Sequence, residues 1–129
     1  IKLAAPRGVA LEEGQEPVVK SSKLEAWRSG LSKANLLANL YAMKGMTHAW
    51  GVTSTWSDAQ RANVETAFQK ADASFSALPT DMKAGLEDGT AQVSIEQALM
   101  DLRLLRTQVA DVLPPSLDLT LGFNALDGD

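Results

Sequence analysis

This sequence of 129 residues contains no cysteine, one histidine and one tyrosine. Without cysteine, the chain can hold no disulfide framework, no thiolate-bound zinc, no iron–sulfur cluster and no cysteine nucleophile. No apolar run approaches the roughly 18 residues that a membrane-spanning helix needs, so we expect no membrane span. Hydrophobic residues make up 45% of the chain and charged residues 22%. Such a composition predicts one soluble domain with a modest core.

Basic residues are also too few and too scattered to form a nucleic-acid-binding surface. The net charge is −4 and the pI is about 4.9, so phosphate is repelled and no nucleic-acid partner is expected. Residues 1–50 carry seven Lys and Arg against four Glu, whereas residues 51–129 carry five against twelve Asp and Glu. The acidic second half can therefore attract the basic first half in the folded chain.

The chain begins with a segment that lacks any regular period. Residues 1–22 contain scattered Pro, Gly and Ser, which predicts an irregular lead-in or inter-domain linker before a domain over residues 23–129. A helix capped by Ser29 or Ser32 follows, and Gly45 with the Thr-, Ser- and Gly-containing residues 47–56 predicts its end. The residues predicted to form its apolar stripe are Leu31, Ala34, Leu37, Ala38 and Tyr41, with Leu40 and Met43 on its flank.

Two further long helices and a short one are predicted, with no alternating pattern that demands a strand. Ser57 is a good N-cap for the second long helix, which Pro79 stops. Thr80 can cap the short helix, and the third long helix starts at Thr90 or Ser94 and runs to the prolines 114 and 115. The apolar face of the second helix contains Val64, Phe68, Ala71, Phe75 and Leu78, and that of the third contains Ile95, Leu99, Leu102, Val109 and Val112. The sequence therefore predicts an all-α helical bundle with an irregular, docked C-terminal tail over residues 116–129.

Trp27, Arg28 and Ser29 precede the first helix and are candidate site residues. An arginine at a helix start is disfavoured by the helix dipole, so a carboxylate partner is one expectation, with the acidic tail as the candidate. The alternative is a solvated Arg28 beside Trp27 as a core plug.

Amide and carboxylate side chains form a second set of candidates. Asn35 and Asn39 lie one helical turn apart and can hold a loop backbone or line a polar pocket. Asp127 and Asp129 can contribute to a metal site for a hard cation, or instead pair with Arg28. The single histidine, His48, is interpreted as a helix-end residue near terminal carbonyls rather than as a metal ligand.

Two blocks of sequence resemble a known family. The stretch EAWRSGLSKANLLANLYAM at residues 25–43 and the ending LGFNALDGD at residues 121–129 are similar to the C-terminal half of imelysin-like proteins, the M75 peptidase family. The resemblance covers residues 25–129. It implies one lobe of a two-bundle, all-α protein of the cell envelope, periplasmic or outer-membrane-associated in a Gram-negative bacterium and linked to iron acquisition.

The resemblance also implies partners and site residues. The family's Gly-x-His-x-x-Glu motif, proposed to bind metal, belongs to the N-terminal lobe and has no counterpart here, since His48 is followed at the third position by Gly51. The expected partner is that N-terminal lobe, together with other envelope iron-uptake proteins. The residues carried over from the matching blocks, expected to build the lobe interface and the wall facing the histidine motif, are Trp27, Arg28, Ser29, Asn35, Asn39, Asn124, Asp127 and Asp129.

Three functions follow as hypotheses. The first is a non-catalytic protein that binds iron or an iron-bearing ligand between two helical lobes. The second is an M75-type metallopeptidase, which needs about three protein ligands and a general base, so that its metal centre would lie wholly in the other lobe. The third is a structural or interaction bundle. The enzyme hypothesis is the less favoured, because one histidine cannot supply such a centre.

Overall fold

The computed structural model describes residues 18–49 and 52–117. Four α-helices lie in these ranges: α1 (Ser32–Ala49), α2 (Asp58–Ser76), α3 (Met82–Glu87) and α4 (Gln92–Ser116), with 3-10 helices at Ser21–Lys23 and Val52–Thr55. No strand occurs in the described ranges. The predicted all-α bundle of three long helices and one short helix is thus confirmed. The predicted tail beyond residue 117 and residues 1–17 of the lead-in lie outside the described residues.

The second long helix, α2, forms as its sequence predicts. The Ser57 side chain accepts a hydrogen bond from the Gln60 backbone N–H, and the Gln60 side chain accepts one from the Ser57 N–H. This capping box satisfies two donors that the first turn would otherwise leave without partners. The buried residues of α2 are Val64, Ala67, Phe68, Ala71, Ser74 and Phe75, as the helical period requires.

Two predicted caps in the second half of the chain are wrong. Asp81, not Thr80, caps α3, because its carboxylate accepts from the Ala84 N–H at 2.9 Å. Neither Thr90 nor Ser94 caps α4, whose N-cap position is Ala91 and receives no side-chain hydrogen bond. Ala91 is fully buried, so packing fixes the start of this helix in place of a cap.

The first helix departs furthest from its prediction. It continues through Gly45 to Ala49, and its buried residues are Ser32, Leu36, Leu40 and Thr47. Of the predicted stripe only Leu37 packs against the core, while Leu31 is 52% and Tyr41 54% exposed. Leu40, predicted on the flank of the stripe, is buried in the core. Because α1 is apolar around most of its circumference, periodicity alone did not decide which face turns inward.

The three long helices pack in an order that leaves one side open. Lys33 at the start of α1 donates to the carbonyls of Ser76 and Leu78 at the end of α2, so α1 and α2 are antiparallel. Trp56, just before α2, donates its indole N–H to Ser116 Oγ at the end of α4 at 2.7 Å, so α2 and α4 are also antiparallel. Both α1 and α4 pack on α2 but make few direct contacts with each other. We call the gap between them the α1–α4 seam.

The core lies between α2 and α4 and under α3. Its largest fully buried side chains are Phe75, Leu40, Leu78, Met82 and Ile95. Small residues bring the backbones close: Ala67, Ala71 and Ala98 are at most 1% exposed. Gly85 of α3 serves the same purpose, since a Cβ there would lie 2.9 Å from the Ala91 Cβ and 3.0 Å from the Pro79 Cγ.

Candidate functional site

The predicted site residues Trp27, Arg28 and Ser29 form a turn that leads into α1. Backbone φ is +57° at Ala26 and +69° at Gly30, so the chain reverses between them. The Arg28 guanidinium lies 5.1 Å from the centroid of the Trp27 ring, within cation–π range, and Trp27 packs partly against the core. Ser29 Oγ donates to the Ala26 carbonyl at 3.0 Å and so holds the turn.

This turn also corrects the expected start of the helix. Ser29 does not cap α1, and Ser32 is its first residue, with its hydroxyl donated to the Glu25 carbonyl. Arg28 is exposed and stacks on the ring of the partly buried Trp27. Asp127 and Asp129, predicted either to pair with Arg28 or to hold a metal, lie outside the described residues, as does Asn124.

The predicted pair Asn35 and Asn39 lies along the α1–α4 seam. Asn35 is half-buried and Asn39 is exposed. Both belong to the same helical row as Met43 and Met46, at steps of four, four and three residues. The seam side of α1 is therefore polar in its first half and apolar in its second.

An apolar groove occupies the second half of the seam. Its floor is Phe68 of α2, and its volume is about 350 Å³. Met43, Met46 and Thr47 of α1 form one wall, and the wall from α4 consists of Leu102, Leu105, Arg106, Val109, Ala110, Leu113 and Pro114. We call this cavity the seam groove. Among the described residues that line it, Arg106 alone is ionisable, and the others are mostly apolar, so this lining is suited to binding apolar groups.

One cation lines the groove, and a second, which is paired with Glu65, lies near its floor. Arg106 lines it from α4, and Lys44 Nζ lies 6.0 Å from the centroid of the Phe68 ring that forms its floor. Methionine side chains adapt to irregular apolar partners, and both groove methionines are accessible, Met46 being 51% exposed. The groove thus combines an adaptable apolar lining with positive charge, which suits an apolar segment that also carries carboxylates.

An uncharged surface lies on the outward side of α1. Its residues share one helical face and are Leu31, Ala34, Ala38, Tyr41, Ala42 and Gly45, all of them exposed. We call it the outward face. Tyr41 donates its hydroxyl to Asp72 Oδ1 at 2.7 Å, and this hydrogen bond is the main reason that its pKa is raised. The outward face contains every residue of the predicted apolar stripe except Leu37.

His48 lies exposed in the last turn of α1 and lines a cleft of about 360 Å³ that Trp56 and Val64 also line. Across this cleft, Glu65 accepts from Lys44 Nζ at 2.7 Å, and this contact, more than the charge of His48, lowers the Glu65 pKa. Arg61 donates to the carbonyls of Thr53 and Trp56 and thereby holds the 3-10 helix before α2. Lys44 and Glu65 thus join α1 to α2, and Arg61 stabilises the chain before α2.

The described residues contain no group of three His, Asp or Glu side chains that could hold a metal ion. Nor does any helix within residues 18–49 and 52–117 have the length and apolar content to cross a bilayer. The seam groove was not predicted from the sequence. The sequence feature that could have indicated it is the apolar character of α1 on two sides. A helix that is apolar on two sides needs packing partners on both of them.

Fold and site together define a helical bundle with two exposed, largely apolar surfaces, the seam groove and the outward face. Comparison with family models, with curated proteins and with solved structures gives no match for this chain.

Proposed function

We propose that this chain is one helical lobe of an imelysin-like, two-lobed envelope protein, and that its role is to dock the other lobe through the outward face of α1. The observation that supports the proposal most directly is the absence of charge from that face. A solvated helix face normally carries charged or polar side chains, whereas Leu31, Ala38 and Tyr41 are exposed here. A partner helix would remove these side chains from water.

The chemistry of the face fits a partner that is itself helical. Ala34, Ala38, Ala42 and Gly45 are small, so a second helix can approach closely, while Leu31 and Tyr41 at the edges supply apolar area. The resemblance of residues 25–43 to imelysin-like proteins supplies the identity of the partner, an N-terminal lobe with the Gly-x-His-x-x-Glu motif. In this proposal, iron or an iron-bearing ligand binds between the two lobes.

The test titrates a purified imelysin N-terminal lobe carrying the Gly-x-His-x-x-Glu motif into the 129-residue chain, with calorimetric detection. We expect saturable binding that Ala38→Glu abolishes, because the new carboxylate would be buried without a partner. Ala73→Glu, the same change at an exposed alanine of α2, is the matched control and should leave the affinity unchanged. Equal affinities for the two variants, or no binding by the unaltered chain, would contradict the proposal.

Iron is tested in the same mixture. Ferric and ferrous iron are titrated into the chain alone, into the N-terminal lobe alone and into the pair. A heat of binding that is larger for the pair than for the sum of the separate lobes supports a shared site. The variant Asp127→Ala/Asp129→Ala then asks whether the tail contributes ligands, and unchanged heats would remove those two residues from the site.

A further inference from the structure

We propose that residues 118–129 of this chain fold back along the α1–α4 seam, with Leu119, Leu121 and Phe123 filling the seam groove. The segment follows Leu117, which closes α4 through hydrogen bonds from its N–H to the carbonyls of Leu113 and Pro114. Leu113 and Pro114 themselves line the groove. The next residues of the chain therefore start at the edge of the cavity.

The apolar pattern of the segment matches the groove. Leu119, Leu121 and Phe123 are spaced two residues apart, so an extended chain presents all three on one side. Six extended residues from Leu117 to Phe123 span about 20 Å, and the α4 wall from Pro114 back to Leu102 is about 18 Å long. Phe123 would thus reach the inner end of the groove, beside Met43.

The polar pattern continues the match beyond the groove. From Met43 the seam side of α1 leads to Asn39 and then to Asn35, about 12 Å away along the helix. Four extended residues lead from Phe123 to Asp127 over about 13 Å, which places Asp127 level with Asn35. On the side that would face the seam, the segment changes from Leu121 and Phe123 to Ala125 and then Asp127, and the seam changes from methionine to asparagine over the same stretch.

Charge favours the same placement. Residues 118–129 contain three aspartates and no lysine or arginine. Arg106 lines the groove, and Arg28 lies in the turn before α1, at the end of the seam towards which Asp127 and Asp129 would point. A segment bearing only negative charge would therefore pass Arg106 within the groove and end near Arg28.

The four methionines of the chain provide the test. Met43 and Met46 line the groove, Met82 is fully buried elsewhere, and Met100 is 61% exposed. Methyl NMR spectra of the full chain are compared with those of Phe123→Leu, which removes the aromatic ring and keeps an apolar side chain. We expect the Met43 and Met46 resonances to lose their ring-current shift while those of Met82 and Met100 stay in place. Unmoved Met43 and Met46 resonances, or movement of all four, would overturn the proposal.

Designed disulfides give a second readout that the absence of natural cysteine makes unambiguous. Met43→Cys/Phe123→Cys should cross-link within one molecule under mild oxidation, and faster than the control pair Met100→Cys/Phe123→Cys. Asn35→Cys/Asp127→Cys tests the polar half in the same way. Equal rates for the groove and control pairs would overturn the proposal, and so would cross-links formed only between molecules, which would identify a second copy as the occupant.

Discussion

The two sides of α4 differ in how completely they are packed. Against α2, the side chains of Phe75, Ile95 and Ala98 are fully buried, and small residues allow close backbone approach. Against α1, a groove of about 350 Å³ lies where a further element would pack. The α2–α4 interface therefore provides the stability of the bundle, while the α1–α4 seam leaves apolar surface for another segment to cover.

The largest expected effect on stability is at the α2–α4 interface. Phe75→Ala should lower the free energy of unfolding by about 3–5 kcal/mol, because it removes a fully buried ring and leaves a cavity between α2 and α4. Urea denaturation followed by circular dichroism measures it. Met43→Ala in the seam groove is the comparison, and a loss as large as that of Phe75→Ala would contradict the distinction between the two sides.

Gly85 and Gly45 offer the next test, with effects of opposite sign. Gly85→Ala should destabilise by about 1–3 kcal/mol, because its Cβ would press on Ala91 and Pro79. Gly45→Ala should stabilise by about 0.5–1 kcal/mol, since nothing lies within 4 Å of its Cβ position and alanine favours the helix. Thermal denaturation of both variants checks the prediction. A stabilising Gly85→Ala would show that α3 is not closely packed.

A double-mutant cycle tests whether Phe123 contacts Met43 in the seam groove. If Phe123 covers Met43, then Met43→Ala and Phe123→Ala should be non-additive, with a coupling free energy of about 0.5–1.5 kcal/mol from the lost sulfur–aromatic contact. The four unfolding free energies of the cycle give this value. The pair Met100→Ala and Phe123→Ala is the control, and a coupling that matches the control would contradict contact between Met43 and Phe123.

The smallest effect concerns the ion pair that joins α1 to α2. Lys44 holds the Glu65 pKa below its ordinary value, so this pair contributes stability above the unfolded-state pKa of Glu65 and loses it as pH falls through the folded-state pKa. Both side chains are more than a third exposed, so we expect only about 0.2–1 kcal/mol. Lys44→Met should reduce the decline in stability below about pH 4.5. An unchanged acid profile would contradict this contribution.

The helices with one apolar face could be predicted from the sequence. In α2, Ser57 and the spacing of Val64, Phe68 and Phe75 defined both the start and the inward side, and α4 followed the same period. In α1 the same method chose Leu31, Ala38 and Tyr41 as core, and these residues are exposed. Periodicity identifies the apolar faces of a helix, and α1 has two of them. Tertiary packing determines which of the two is buried.

The candidate site could likewise be predicted only in part from the sequence. The carboxylate partner that the helix dipole suggests for Arg28 stays a prediction. The shared helical row of Asn35 and Asn39 could be anticipated from their spacing. The seam groove could not, because it is built from α1, α2 and α4 together and depends on α1 and α4 failing to meet. No single segment of sequence carries that information.

The hydrogen bond from Trp56 to Ser116, continued from Ser116 to the Val112 carbonyl, fixes the end of α4 against the start of α2. Any segment that follows Leu117 is consequently tethered beside the groove, at an effective concentration in the millimolar range typical of short linkers. A partner supplied in trans at micromolar concentration would have to bind the groove about a thousandfold more tightly to displace a tethered segment that fits it. By holding the end of α4 in place, the Trp56–Ser116 hydrogen bond would in that way raise the affinity that an external ligand needs in order to occupy the groove.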